Sequence, residues 1–181
     1  LTNYNFLIFD CDGVLFDSNK VKTEGFRFAL EKYPNEEVHK LISFHQRQGG
    51  VSRYKKFKYF FSEILNLDDY TKNYEESLIR FNYYMEEKLF NVNFVEGVKG
   101  FVDYCWQKKM RLYIVSGGDQ LELNRLIEKK KISMYFSMIL GSPISKAENL
   151  EKVLQNEKSR KGMFIGDSRV DYFCAIEQDL D

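Results

Sequence analysis

Four short apolar runs limit what this chain can fold into: Asn5–Phe9, Leu112–Val115, Ser137–Leu140 and Met163–Ile165. Each is apolar on successive positions rather than on alternate ones, the pattern of strands covered on both faces. Helical stretches at Val98–Lys108, Gln120–Lys130 and Lys146–Asn156 alternate with the last three runs, and Val170–Gln178 follows the fourth. Strand, helix, strand, helix predicts an α/β fold, a Rossmann-like parallel sheet flanked by helices with right-handed crossovers.

A long segment, about Ser18 to Phe94, separates the first run from the others. It has helical periodicity near Lys20–Lys32, Glu36–Gln46, Ser52–Asn66 and Thr71–Phe90, punctuated by Pro34 and Gly49-Gly50. A stretch this long is too big for a loop and is expected to pack as its own helical unit. The division predicted is therefore a core of residues 1–17 and 95–181 with residues 18–94 inserted. The helix Val170–Gln178 is followed by only three residues, where a doubly wound sheet places another strand. That strand is expected to be missing, leaving Met163–Ile165 as an exposed edge. A fragment, or a partner covering that edge, is the corresponding expectation. The chain opens with Leu rather than Met, so its ends are not taken as native.

The balance of 27 basic and 27 acidic residues argues against a general nucleic-acid binder, which would carry a basic excess. No apolar run approaches the roughly 18 residues of a membrane span, and Leu1–Asn5 lacks the basic flank and long apolar stretch of a signal peptide. Cys11, Cys105 and Cys174 are scattered, with no CxxC or Cys/His cluster, so zinc is not expected and a reduced, cytoplasmic setting is the plain reading.

Polar residues follow the apolar runs at their carboxyl ends. The first leads into Asp10-Cys11-Asp12-Gly13-Val14, the second into Ser116-Gly117-Gly118-Asp119 and the fourth into Gly166-Asp167-Ser168-Arg169-Val170-Asp171, while Lys146 opens the helix after the third. Ligands of open α/β sheets bind beyond the carboxyl ends of the strands, so these groups are expected to converge. Taken singly each has a plainer explanation. An Asp or Ser after a strand is commonly a turn or helix N-cap, and a helix lysine is commonly solvated. Taken together they form a chemically coherent set.

The set resembles the haloacid dehalogenase superfamily. Asp10-Cys11-Asp12-Gly13-Val14 is similar to its DxDG[TV] first motif, Ser116 to its second, Lys146 to its third and Gly166-Asp167-Ser168-Arg169-Val170-Asp171 to its GDxxxD fourth. Phe16-Asp17-Ser18, Glu96-Gly97-Val98 and Gly141-Ser142-Pro143 agree with the neighbouring text, and the insert falls where phosphoglycolate phosphatase-like and β-phosphoglucomutase-like members carry a helical cap. The resemblance implies a Mg²⁺-dependent phosphohydrolase. Asp10 would be the nucleophile that forms an aspartyl-phosphate, and Asp12 the acid and base for leaving group and water. The metal would be held by the Asp10 carboxylate, the Asp12 backbone carbonyl and Asp167, with Asp171 acting through water or from behind. Ser116 and Lys146 would hold the phosphoryl oxygens, helped by backbone N–H groups near Asp12 and Gly117. Cys11 reads as packing, since strand alternation turns it away from the site.

Val38–Ser62 holds six Lys/Arg residues and no Asp or Glu. Its Gly50-Val51-Ser52-Arg53 piece resembles the cap specificity segment of β-phosphoglucomutase-like members, which places Arg47, Ser52 and Arg53 on the distal part of a small phosphorylated substrate such as a sugar phosphate. A solvated basic helix face is the plainer reading of the same segment. His39 and His45 are expected to pack or lie on the surface, and Phe57, Tyr59 and Phe60 to build the insert's core. Two alternatives to a phosphatase are a β-phosphoglucomutase-like phosphomutase and a non-catalytic module or fragment. The mutases carry Glu-Asp where this chain has Gly166-Asp167, and a non-catalytic module predicts a broken motif where none is broken. A true dehalogenase lacks an equivalent of Asp12, and a P-type ATPase has Lys after its nucleophile.

Overall fold

The computed structural model describes residues 3–181. Four strands, β1 (Phe6–Phe9), β2 (Arg111–Asp119), β3 (Phe136–Ser142) and β4 (Gly162–Ile165), form one parallel sheet in the order β3-β2-β1-β4. The predicted runs lie within or overlap these strands, but β2 and β3 are longer than their apolar runs. β2 continues through Ser116-Gly117-Gly118 to Asp119, because pairing resumes between Asp119 and Ser142 beyond a bulge.

Helices cover both faces. α5 (Val98–Gln107) and α6 (Gln120–Lys129) lie on one, α7 (Lys146–Glu157) and α8 (Arg169–Glu177) on the other. The strand period sorts the core between them. Leu7, Phe9, Leu112 and Ile114 pack with Val102, Cys105, Leu123 and Leu126; Phe6, Ile8, Tyr113 and Val115 pack with Leu150, Val153 and Ala175. Every residue of β1 is buried, as a central strand between two helical layers requires.

Between β1 and α5 the chain is helical: α1 (Asn19–Ala29), α2 (Asn35–Arg47), α3 (Arg53–Tyr59) running into a π-turn over Phe60–Ile64, and α4 (Thr71–Lys88) with a 3₁₀ turn over Leu89–Asn91. An aromatic cluster fills the middle of this insert. Phe26 lies 5.2 Å from Phe57 and 4.6 Å from Phe81, and Phe57, Phe60 and Phe61 are buried. Phe57 and Phe60 are thus core, as the sequence suggested, and Tyr59 packs against it partly buried.

The far edge of β4 is met by the backbone at Asp181. The Phe164 N–H donates to the Asp181 carbonyl oxygen at 2.7 Å, and the Asp181 N–H to that of Gly162 at 3.3 Å. The edge expected to be bare is therefore paired over part of its length. No helix among the described residues is long and apolar enough to cross a membrane.

Candidate active site

β1 and β4 run side by side, and both lead into acidic loops at their carboxyl ends. Asp10 follows Phe9 directly and is held by its own N–H, which donates to the Ile165 carbonyl oxygen at 2.9 Å. Its side chain is buried, with Oδ1 accepting from the Cys11 N–H and Oδ2 lying 2.7 Å from the Lys146 ammonium. Loss of hydration pushes the Asp10 carboxyl up to about 7, against the pull of Lys146 and with help from Asp171 and Asp12.

Asp167 follows β4 and Asp171 lies in the first turn of α8. One carboxylate oxygen from each of Asp10, Asp167 and Asp171 can be chosen so that all lie within 4.8 Å of one another. Asp171 has two further tasks. Its Oδ2 accepts from the Ser168 N–H and hydroxyl, closing a capping box, while Oδ1 takes Lys146. With both oxygens engaged by the protein, Asp171 anchors the lysine and stands behind Asp10 and Asp167. Asp167 is exposed and accepts from Asn19 Nδ2 at 2.9 Å; partial loss of hydration raises its pKa despite that hydrogen bond. Gly13 makes this convergence possible, since its φ of +75° suits glycine and a Cβ there would overlap the Asp167 carboxylate.

Lys146 is the first residue of α7, placed by a capping box between Ser145 and Glu148. Burial disfavours its charge, but Asp10 and Asp171 outweigh that and raise its pKa. Ser116 is fully buried at the bulge in β2. Its oxygen accepts from the Gly118 N–H at 3.0 Å, which leaves its own proton free to donate. The Ser142 hydroxyl donates to the Gly118 carbonyl oxygen at 3.0 Å and ties the bulge to β3.

Asp12 is turned the other way, toward the insert. Ser18 donates to its Oδ1 at 2.5 Å and Lys22 of α1 pairs with its Oδ2. Burial alone would raise the Asp12 carboxyl, but the Lys22 charge and the two hydrogen bonds hold it below the usual carboxylate range. The Asp12 side chain is thus outside the acidic cluster, and only its backbone carbonyl is left for a metal there. Ser18 occupies the N-cap position of α1 without capping it.

The residues expected to grip the substrate are placed differently. Arg53 is buried and already engaged: it pairs with Glu122 of α6, donates to Asn82 Oδ1 at 2.7 Å and lies 4.6 Å over the Phe81 ring. Ser52 is the N-cap of α3, the plainer role for a serine before a helix. Arg47 is exposed and lines an open groove of about 780 Å³ that reaches Asp167. Gly117 sits directly beneath the Gly49-Gly50 turn, where a Cβ on it would overlap the Gly50 carbonyl oxygen. Tyr54 donates to Asp119 Oδ2 at 2.7 Å, a second tie between α3 and the start of α6.

Sequence reasoning missed Lys22, Asn19, Glu122 and Lys56. Lys22 and Asn19 lie within one turn of Ser18, so the position of α1 after the first motif was the signal for them. His45 is buried against Phe26, with ring centroids 4.8 Å apart, and its Nδ1 lies 2.8 Å from the Lys56 ammonium, while Cys11 packs in the core.

The fold and site define an α/β protein with three carboxylates and a lysine gathered at the carboxyl ends of a parallel sheet. The model of the haloacid dehalogenase-like hydrolase family matches residues 7–181. The chain belongs to that family. Solved structures share the fold at low sequence identity. A predicted phosphoglycolate phosphatase from Haemophilus somnus superposes with a TM-score of 0.81 at 17% identity, over 99% of this chain and 84% of that one. A predicted phosphatase from Clostridium acetobutylicum gives 0.77 at 20%, over 98% and 82%. A haloacid dehalogenase-like hydrolase from Streptococcus pneumoniae gives 0.74 at 18%, over 100% and 84%. No curated protein matches the chain in sequence.

Proposed function

We propose that this protein is a Mg²⁺-dependent phosphatase of small phosphorylated metabolites, working through an aspartyl-phosphate on Asp10. The observation that carries this reading is the meeting of Asp10, Asp167 and Asp171 with Lys146 at the end of the sheet. Three carboxylates at this distance suit a hard divalent cation. Asp10, the Asp12 carbonyl and Asp167 would hold Mg²⁺, with Asp171 behind them. The ion would supply charge neutralisation for a phosphoryl group beside carboxylates.

Asp10 attacks phosphorus, a bond forms from its oxygen and the bond to the leaving alkoxide breaks. Asp12, once it carries a proton, donates it to the alkoxide. Water then attacks the aspartyl-phosphate, Asp12 takes its proton, and the bond between phosphorus and the Asp10 oxygen breaks to release inorganic phosphate. The ionised Asp12 seen against Lys22 is in the form required for the second half. Lys146 and the free proton of Ser116 stabilise charge on the phosphoryl oxygens. The insert acts as a cap, its Gly49-Gly50 turn lying against Gly117 and Val170 so as to exclude water. The two similar structures named as phosphatases point the same way.

Hydrolysis of p-nitrophenyl phosphate tests the reading. Activity is expected with Mg²⁺, lost on chelation and restored by added Mg²⁺. Asp10→Asn is expected to fold normally by circular dichroism and to have no turnover. Full activity in that variant would remove Asp10 as the nucleophile.

A further inference from the structure

Of the three carboxylates at the end of the sheet, two are locked by the core itself. Asp10 accepts from the Cys11 N–H on one oxygen and faces Lys146 with the other. Asp171 accepts from Ser168 on one oxygen and takes Lys146 on the other. Asp167 differs. It is exposed, and among the described residues its side chain has one hydrogen-bond donor, the Asn19 amide, 2.9 Å from Oδ2. Its Oδ1 has no protein donor among those residues, and a single tie fixes the direction of the carboxylate.

That tie comes from the insert. Asn19 is the first residue of α1, and its neighbours moor the same helix to the loop after β1. Ser18 donates to Asp12 Oδ1, and Lys22, one turn on, pairs with Asp12 Oδ2. Gly13 makes room for the contact: a Cβ added there would collide with both the Asp167 carboxylate and the Asn19 amide. Asn19 and Asp167 both line the open groove, so a cation reaches them from solvent.

A carboxylate that ligates a metal is itself held by a hydrogen bond, which aims the ligating oxygen. Without that bond an exposed carboxylate samples several rotamers, and affinity falls with the fraction that points away. We propose that Asn19 is a positioning residue for the metal, which aims Asp167 into the acidic cluster and so makes the cation and the docked insert stabilise each other. This role rests on the reading of the cluster as a Mg²⁺ site and deepens it. The coupling is reciprocal: if docking of α1 strengthens the hold on the cation, the cation strengthens docking of α1 by the same factor.

Mn²⁺, whose free ion is counted by electron paramagnetic resonance, is titrated into the metal-free full chain without phosphate. Asn19→Leu keeps the shape of the side chain and removes the donor. It is expected to weaken Mn²⁺ binding by roughly ten- to a hundredfold, the range for a hydrogen-bond partner of a ligand. Asn19→Gln, which keeps the donor on a longer stem, is expected to lose less. Hydrogen exchange of the α1 amides is followed in the same proteins. Mg²⁺ is expected to slow it in wild type and to leave it unchanged in Asn19→Leu. Mn²⁺ affinity in Asn19→Leu equal to that of wild type, or wild-type α1 exchange that ignores Mg²⁺, overturns the proposal. If Asn19→Leu does not fold, the Mg²⁺ effect on wild-type exchange and the smaller loss in Asn19→Gln decide. Failure of the underlying reading looks different. A wild type that binds no Mn²⁺ removes the metal assignment and Asn19 with it; wild-type binding that Asn19→Leu leaves intact removes only the role of Asn19.

Discussion

Glu122→Ala tests whether Arg53 holds the insert to the core or waits for substrate. The pair is well buried, with side chains 5% and 14% exposed, and it joins α3 to α6. Removing the carboxylate leaves a guanidinium with only Asn82 and the face of Phe81. Stripping one partner from a buried pair costs about 3–5 kcal/mol. Because Asn82 and Phe81 remain, the low end is expected, about 3 kcal/mol. For a chain this long each kcal/mol moves Tm by roughly 2–4 °C, so a fall of about 6–12 °C follows. Arg53→Met combined with Glu122→Ala buries no charge and should return to within about 1 kcal/mol of wild type. The four proteins are compared by thermal and urea unfolding. A Glu122→Ala protein within about 0.5 kcal/mol of wild type, the range of an ordinary surface substitution, would refute the buried clamp. So would a double variant whose loss is the sum of the two single losses. Either result would return Arg53 to the substrate.

Gly117→Ala would push a Cβ into the Gly50 carbonyl oxygen, and both atoms belong to backbone. The turn must then lift, and kcat/KM for p-nitrophenyl phosphate should fall on the order of a hundredfold while the far-UV spectrum stays native. His45 gives a pH signature. Its folded pKa, about 3, lies below the unfolded 6.5, so the unfolded chain gains a proton first as pH drops. Its contribution is whole above pH about 6.5 and declines toward pH about 3, with roughly 2 kcal/mol gone by pH 5. Urea midpoints at pH 7.5 and pH 5 should therefore differ less in His45→Gln than in wild type; an equal difference would exclude His45 as a source of the slope.

The strands and the four polar stretches at their carboxyl ends were legible because they use local signals. Continuous apolar runs mark buried strands, and Asp, Ser and Gly at their ends mark turns. The carboxyl end of β2 was not legible, because Ser116-Gly117-Gly118 reads as a loop and only pairing with β3 reveals a bulged strand. The partners of Asp12 and Arg53 were hidden for another reason. Lys22 and Glu122 are charged residues on helices, and such residues are solvated far more often than buried. What buries them is the docking of two distant segments, which no window of sequence contains. The stretch of six cations without an acid did hold information. Two of those cations, Arg53 and Lys56, are buried at the junction, one with a carboxylate from the core and one without.

The two carboxylates proposed for catalysis are pushed in opposite directions by different parts of the molecule. Asp10 is raised by burial at the end of β1, in the company of Asp171 and Asp12. Asp12, two residues away, is lowered by a lysine and a serine from the start of the insert. Acid and base chemistry on neighbouring carboxylates depends on such divergence. The insert therefore does more than cover the site. As long as α1 stays docked, Lys22 holds Asp12 in the ionised form that the proposed mechanism uses to activate water. Lys22→Met should then slow the breakdown of the aspartyl-phosphate more than its formation, and acid quenching after mixing with p-nitrophenyl phosphate should show phosphorylated protein accumulating. A variant that turns over as fast as wild type with no phosphorylated protein trapped would mean that the insert leaves Asp12 alone.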